Sequence, residues 1–173
     1  LTLRDCSVTV VNRGALPVAL VQAREAAPGR PSRVRLERTT VRGTFPAVVD
    51  LAGAGAEVYV SRSVVVNGQG AFVAAGGPAG HERQVFVERS VVATQGPAFD
   101  ADEPTQSPRT RLLSVRALGS TFARLGSSSR PPLISYRGET GPADAIDWRA
   151  EACTYDGWPE WLSAGSLPGP RVA

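Results

Sequence analysis

The sequence has no lysine, no methionine, one histidine and two cysteines among its 173 residues. Because lysine is absent, all 19 basic residues are arginine, which we attribute to the base composition of the genome rather than to function. The lone His81 cannot form a metal site of several histidines, and we expect it to be solvated in its loop. No apolar run approaches the roughly eighteen residues of a membrane-spanning helix, so we predict no insertion into a membrane.

The bulk composition predicts one globular domain, because 42% of the residues are hydrophobic and the length leaves little room for a second domain. A net charge of +3 is too small to require nucleic acid as a partner, and we predict none. The opening LTLRDCSVTV has neither Met nor a signal peptide, so we expect a piece of a longer chain whose remainder contacts this domain. We expect residues 1–165 to form the domain and 166–173 a linker or tail.

Two stretches of the sequence are nearly the same. VYVSRSVVVNGQGAF, from Val58 to Phe72, and VFVERSVVATQGPAF, from Val85 to Phe99, agree at eight of fifteen positions. Weaker copies of the block recur, and each has a small residue, which we call the anchor, at one equivalent position. The anchors are Cys6, Thr39, Ser63, Ser90, Ser120 and Cys153. Their spacing of 24 to 33 residues is typical of a solenoid, in which each repeat buries its apolar side against its neighbours.

The apolar residues around each anchor alternate, which predicts strands rather than helices. Residues five and three positions before the anchor and two positions after it are mostly apolar, as in Val58, Val60 and Val65. Side chains two apart share one face of a strand, so these side chains should point inward. A glycine then opens a turn, and a further apolar strand follows, as in PAVVDL, AFVAA and PLISY. We therefore predict an all-β fold, a single-stranded parallel β-helix of about six turns.

This pattern resembles the right-handed parallel β-helix domains of the pectin-lyase-like class. The small anchor after a V-x-V strand and the closing CTYDGWPEW are most similar to domains of large bacterial proteins, some of which carry a kinase elsewhere in the chain. The resemblance covers Leu1 to about Leu162, and it favours a cell-surface or extracytoplasmic location over the cytoplasm. It does not imply one activity, because the fold hosts lyases, hydrolases, adhesins and inert spacers.

The cysteines and the late aromatic residues belong to the ends of the predicted coil. Cys6 and Cys153 lie five strand spacings apart, or about 24 Å. A disulfide requires Cα atoms within about 7 Å, so we expect two free, buried thiols. Four aromatic residues fall near the C-terminus: Trp148, Tyr155, Trp158 and Trp161. We predict that they form an aromatic cap over the last turn, with a cradle for a sugar ring as the alternative.

The acidic residues do not form a recognisable catalytic set. Catalytic β-helices that act on acidic polysaccharides use clustered carboxylates to hold Ca²⁺, or paired Asp residues, on an outer face. In the outward column two residues before the anchor, no two neighbouring turns both carry an acid. Asp100, Asp102 and Glu103 do cluster in FDADEPTQ, which we interpret as a solvated turn, with a Ca²⁺ loop as the alternative. We therefore predict no catalytic residue, no metal and no cofactor.

A second outward column, four residues before the anchor, combines aromatic and basic side chains. It places Arg35, Tyr59, Phe86 and Arg116 on consecutive turns, so Tyr59 and Phe86 should stack about 4.8 Å apart. Rings beside guanidinium groups suit sugars that carry carboxylate or sulfate groups. The column could instead be an ordinary solvated face or a contact with the rest of the parent chain.

The function that these patterns favour is a non-catalytic structural or interaction module of a larger bacterial protein. The alternative is a carbohydrate-binding or polysaccharide-processing domain, similar to pectate lyases, that acts on acidic glycans. Three arginines, each directly before an anchor, form a second basic ladder: Arg38, Arg62 and Arg89. Neighbouring glutamates could neutralise this ladder.

Overall fold

A computed structural model describes residues 1–10, 19–23, 31–51, 55–76, 82–103, 111–126, 130–138 and 141–165. These residues are all-β apart from one short helix, α1, at Pro142–Ala145. The strands, in chain order, are β1 Thr2–Arg4, β2 Ser7–Val10, β3 Val21–Gln22, β4 Ser32–Glu37, β5 Thr40–Gly43, β6 Ala47–Leu51, β7 Ala56–Ser61, β8 Val64–Asn67, β9 Ala71–Ala75, β10 Arg83–Glu88, β11 Val91–Thr94, β12 Phe99–Asp102, β13 Leu113–Leu118, β14 Thr121–Arg124, β15 Ile134–Arg137, β16 Ile146–Glu151, β17 Thr154–Asp156 and β18 Leu162–Gly165.

The strands form three parallel sheets of six strands each. Sheet A contains β1, β4, β7, β10, β13 and β16. Sheet B contains β2, β5, β8, β11, β14 and β17, and sheet C contains β3, β6, β9, β12, β15 and β18. Each turn of the chain therefore adds one strand to every sheet, an arrangement consistent with a parallel β-helix. The register is the one that the anchors predict, since Tyr59 lies beside Arg35 and Phe86, and Phe86 lies beside Arg116.

The core consists of the side chains that the alternation predicts to point inward. Val58, Val60 and Val65 are each at most 1% exposed, and burying one such side chain contributes about 1.5–3 kcal/mol. Leu1 is an exception to this prediction, because it is 63% exposed. It lies directly before β1, which is an edge strand of sheet A.

The anchor side chains form a continuous hydrogen-bonded ladder. The hydroxyl of Ser90 donates to Glu88 O at 2.7 Å and accepts the backbone N–H of Ser63 at 3.0 Å. In the same way, the hydroxyl of Ser120 accepts the backbone N–H of Ser90 at 3.2 Å. The hydroxyl of Ser63 accepts the backbone N–H of Thr39. These anchors are at most 3% exposed, so each hydroxyl satisfies a buried N–H group of the preceding turn. The sequence predicts a small residue at each anchor, but it does not predict these hydrogen bonds.

The residue before each anchor adopts a left-handed backbone conformation. The φ angles lie between 47° and 55° in all six turns, at Asp5, Arg38, Arg62, Arg89, Gly119 and Ala152. Only one of these residues is glycine, although a positive φ is uncommon for any other residue. This conformation bends the chain from sheet A into sheet B.

The two cysteines are free, as predicted, and they occupy the two ends of the anchor ladder. Both are half-buried rather than buried, because each lies in an end turn. Cys6 Sγ lies 3.7 Å from Thr39 Oγ1 of the next turn, and Cys153 Sγ contacts Glu151 O at 3.3 Å.

The aromatic residues near the C-terminus pack on one another inside the last turn. Trp148 contacts Phe99 and Phe122 edge-on, with ring centroids 5.3 and 5.7 Å apart. Trp161 packs against Trp148 at 5.2 Å and against Tyr155 at 4.6 Å. Trp161 remains 44% exposed, so the outer side of this cluster faces solvent.

The prediction of a solvated turn at FDADEPTQ is wrong for its described residues. Asp100 and Asp102 lie in β12 and pair with Arg137 at 3.3 and 3.6 Å, while Glu103 is only 3% exposed. The hydroxyl of Tyr136 donates to Glu103, and burial together with this carboxylate raises the pKa of Tyr136. The strand continues because its inward positions, Phe99 and Ala101, are fully buried.

Two predictions fall on residues outside the described ranges, namely the solvated His81 and the linker 166–173. Within the described ranges, no three His, Cys, Asp or Glu side chains come close enough together to hold a metal ion. The same ranges contain no helix whose length and hydropathy would allow it to cross a membrane.

Candidate functional site

The outer face of sheet A carries the predicted column of aromatic and basic residues. Tyr59 in β7 and Phe86 in β10 are directly paired positions, so their rings extend from neighbouring strands in the same direction. The rings are parallel, with an interplanar angle of 5° and centroids 4.7 Å apart. The strand spacing thus sets the stacking distance, as the sequence predicts.

Two guanidinium groups extend this stack at both ends. The guanidinium carbon of Arg35 lies 5.4 Å from the Tyr59 ring centroid, and that of Arg116 lies 5.9 Å from the Phe86 centroid. Both distances are within the range of cation–π contacts, which contribute about 0.5–1 kcal/mol at exposed sites. Both faces of each ring are therefore covered by side chains of the column itself. A ligand on this face would meet ring edges and guanidinium N–H groups rather than ring faces.

Most charged neighbours of the column are neutralised by ion pairs. Arg33 pairs with Glu57 at 2.7 Å, and Glu57 also accepts a hydrogen bond from the Tyr59 hydroxyl at 3.3 Å. The contact with Glu57 raises the pKa of Arg33. On the last turn, Arg149 pairs with Asp147 at 3.2 Å.

Arg35 and Arg116 differ from these neighbours. In the part of the chain that the structure describes, neither has a carboxylate within 4.0 Å, although each lies over an aromatic ring. Both side chains are exposed. Because a guanidinium has five N–H donors, the two groups retain donors for an anionic ligand.

Two shallow grooves run beside the column. The first, of about 290 Å³, reaches from Arg35 across Tyr59 and Phe86 to Glu37 and Glu88. The second, of about 330 Å³, lies between the Phe86–Arg116 side of the column and Leu118, which is 42% exposed. The grooves share Tyr59, Phe86 and Glu88, so together they follow the column across four strands.

The second basic ladder lies at the left-handed bend beside these grooves. Arg38 pairs with Asp5 and, at 2.8 Å, with Glu37. The hydrogen bond between Arg38 and Asp5 raises the pKa of the guanidinium and lowers that of the carboxyl. Arg89 pairs loosely with Glu88, at 3.7 Å. The expected neutralisation by glutamates is therefore present at two of the three arginines, since no carboxylate of the described residues pairs with Arg62.

The geometry of the face favours an extended ligand over a compact one. Arg35 and Arg116 are three strand spacings apart, or about 14 Å. An anionic polymer that lies along the column could contact both guanidinium groups and the ring edges between them. Glu37 and Glu88 supply hydrogen-bond acceptors in the same grooves, so hydroxyl groups could bind beside the anionic groups.

No protein family, curated protein or solved structure matches this chain. The resemblance to the pectin-lyase-like class therefore rests on the sequence pattern and on the three stacked parallel sheets.

Proposed function

We propose that this chain is a non-catalytic β-helix module with a structural or interaction role in a larger bacterial protein, at the cell surface or elsewhere outside the cytoplasm. The observation that carries the proposal is the column of Arg35, Tyr59, Phe86 and Arg116. Its side chains are exposed or half-buried, and their positions are fixed by four paired strands. Side chains held in place by a rigid sheet lose little conformational entropy when a partner binds.

We further infer that the three sheets form a right-handed coil of the pectin-lyase-like class. Connections between parallel strands of one sheet are right-handed in almost all proteins, and each turn here is such a connection. The aromatic residues of the last turn serve as its cap on the inner side, because Trp148 covers Phe99 and Phe122. A cap of this kind replaces the contacts that a further turn would supply.

A contact with the remainder of the parent chain is supported by an apolar patch on sheet B. Val64 and Val91 are paired outward positions on neighbouring strands, with 37% and 39% of their surface exposed. Exposed valines on adjacent turns suit burial against another polypeptide.

An acidic polysaccharide is the second candidate partner, and the unpaired state of Arg35 and Arg116 favours it. Carboxylate or sulfate groups of such a polymer would accept charge-assisted hydrogen bonds from both guanidinium groups. The stacked rings hold the two groups in position, so Tyr59 and Phe86 act as positioning residues. Because the arginines are exposed, salt should weaken this binding.

A glycan array probed with the purified chain tests the second candidate. We expect binding to polymers that carry carboxylate or sulfate groups and not to their neutral counterparts, with affinity falling as the salt concentration rises. The double variant Arg35→Ala/Arg116→Ala should lose this binding. Arg42→Ala is a matched control, because it removes an exposed arginine from sheet B. Equal binding by the wild type and the double variant would contradict the assignment of the site.

A further inference from the structure

The buried side chain of Asn67 joins the end of a strand in sheet B to the start of a strand in sheet C. Asn67 is the last residue of β8 and is 0% exposed. Its carboxamide oxygen accepts the backbone N–H of Phe45 at 2.9 Å and that of Gln69 at 3.3 Å. Its carboxamide nitrogen donates to Phe45 O at 3.0 Å and to Ala71 O at 2.8 Å. Both hydrogens and both acceptor sites of the amide are therefore used.

The residue after Asn67 is Gly68, and an asparagine followed by glycine is chemically reactive in an unfolded chain. The backbone nitrogen of Gly68 can attack the carboxamide carbon of Asn67. The carboxamide nitrogen then leaves as ammonia together with the proton of the Gly68 N–H, and a five-membered succinimide remains. Water opens this ring at one of its two carbonyls, which gives aspartate or isoaspartate.

Glycine favours this attack because it has no side chain beside the attacking nitrogen. The sequence has one other asparagine, Asn12, which precedes the bulky Arg13. Asn67 is therefore the residue at which an unfolded chain should react first.

The folded structure withholds the groups that the reaction needs. The N–H of Gly68 donates to Gly43 O of the preceding turn at 2.9 Å, so its nitrogen is not free to lose the proton and attack. The four hydrogen bonds of the Asn67 carboxamide hold its carbon in place beside Phe45. Water, which must open the succinimide, does not reach a residue that is 0% exposed.

The products of the reaction do not fit the site of Asn67. An ionised carboxylate has no hydrogen to donate, so Phe45 O and Ala71 O would face a negative charge in place of two donors. Isoaspartate instead adds one carbon to the backbone, at a position that pairs with Gly43 on one side and Thr94 on the other. A buried charge without a partner and a shifted strand are both strongly unfavourable.

The fold itself does not require a glycine at position 68. Gly68 is not among the residues with a positive φ, and the nearest atom to its Cβ position is 3.5 Å away, an ordinary contact distance. The variant Gly68→Ala should therefore fold. Its added methyl group crowds the attacking nitrogen and leaves the hydrogen bonds of Asn67 intact, so this variant separates the chemistry from the structure.

We propose that Asn67–Gly68 is a spontaneous deamidation site that folding keeps silent and unfolding exposes. A molecule that reacts while it is open loses the donor groups that the buried turn needs, and it does not refold. Unfolding of this domain thus becomes irreversible through one identified covalent change. The inference does not depend on what the outer face of sheet A binds.

Peptide mass spectrometry of aged protein tests the proposal. The purified chain is kept at mildly alkaline pH, either folded in buffer or unfolded in guanidinium chloride, and the tryptic peptides that contain Asn67 and Asn12 are followed over time. In the unfolded sample we expect Asn67 to exchange its amide NH₂ for OH well before Asn12 reacts. The folded protein should react about 10³-fold more slowly or less, because only its unfolded fraction is reactive. Gly68→Ala should slow the reaction in guanidinium chloride and keep an unfolding midpoint close to that of the wild type.

Refolding of the aged samples tests the consequence. After dilution from guanidinium chloride, modified wild-type molecules should remain unfolded or aggregated, whereas Gly68→Ala aged in the same way should refold. Asn67→Asp should fail to refold or should unfold at a lower denaturant concentration. An unreactive Asn67 in the unfolded sample, or equal rates in the folded and unfolded samples, would overturn the proposal. Modified molecules or an Asn67→Asp variant with the refolding yield and unfolding midpoint of the wild type would overturn it as well.

Discussion

Removal of one anchor hydroxyl should destabilise the fold far more than its size implies. In Ser90→Ala the backbone N–H of Ser63 loses its acceptor, the Ser90 hydroxyl at 3.0 Å, at a site only 3% exposed. The carbonyl of Glu88 loses a donor at 2.7 Å. A buried donor left without a partner costs about 1–3 kcal/mol, and the small cavity adds little. We expect the free energy of unfolding to fall by about 2–3 kcal/mol.

Urea denaturation followed by circular dichroism measures this change. Ser90→Thr should stay close to the wild type, because the hydroxyl of Thr39 already donates to Glu37 O in the way that Ser90 donates to Glu88 O. Ser163→Ala is a control for loss of a hydroxyl, since Ser163 is exposed in β18. If Ser90→Ala were destabilised by no more than Ser163→Ala, the hydrogen-bonded ladder would not be a source of stability.

Three further predictions concern stability. Gly70→Ala should destabilise by about 1–3 kcal/mol, because its Cβ would clash with the backbone oxygen of Pro46. Tyr136→Phe should lose about 1–2 kcal/mol in chemical denaturation, since the hydroxyl donates to a buried carboxylate. The raised pKa of Tyr136 favours the neutral phenol in the folded state. The stability of the wild type should therefore decrease as the pH rises above 10.0, the ordinary pKa of tyrosine, and that of Tyr136→Phe should decrease less steeply. A double-mutant cycle on Tyr59 and Phe86 should give a coupling of about 0.5–1.5 kcal/mol.

Each of these predictions has a clear contrary outcome. Gly68 is the control for Gly70, because the nearest atom to its Cβ position is 3.5 Å away, and equal effects at the two glycines would refute the steric argument. Identical alkaline melting profiles of wild type and Tyr136→Phe would exclude this phenol as the group that titrates. A zero coupling energy would show that the two rings are neighbours without mutual stabilisation.

The sequence predicts the register of the sheets because a repeat constrains it many times over. Each anchor aligns one turn with the next, and a shift by one residue would expose valines such as Val58 and Val60. The stacking of Tyr59 on Phe86 follows from this register alone. The contacts of long arginine side chains do not, because they depend on rotamers and on every nearby carboxylate. The sequence therefore predicted the position of Arg35 and Arg116 but not that they would cover the ring faces.

Local conformation and burial were harder to predict than register. The left-handed bend occurs at Arg38, Arg62 and Arg89, where the residue type does not suggest a positive φ, and only Gly119 gives the usual signal. The sequence predicts a turn for the acids of FDADEPTQ, because charge and proline dominate that stretch. Phe99 and Ala101, however, place it in a buried strand, and the buried Glu103 is compensated by Tyr136, which is 33 residues away in the sequence.

The most direct test of the proposed function measures binding and cleavage on the same sample. The purified chain is incubated with the acidic polysaccharide that gives the strongest array signal, and bound polymer and newly formed chain ends are measured together over time. We predict salt-sensitive binding through Arg35 and Arg116 and no increase in chain ends over a sample without protein. An increase in chain ends that Glu88→Gln abolishes would show that the groove of sheet A is an active site, and it would contradict the assignment of this domain as a non-catalytic module.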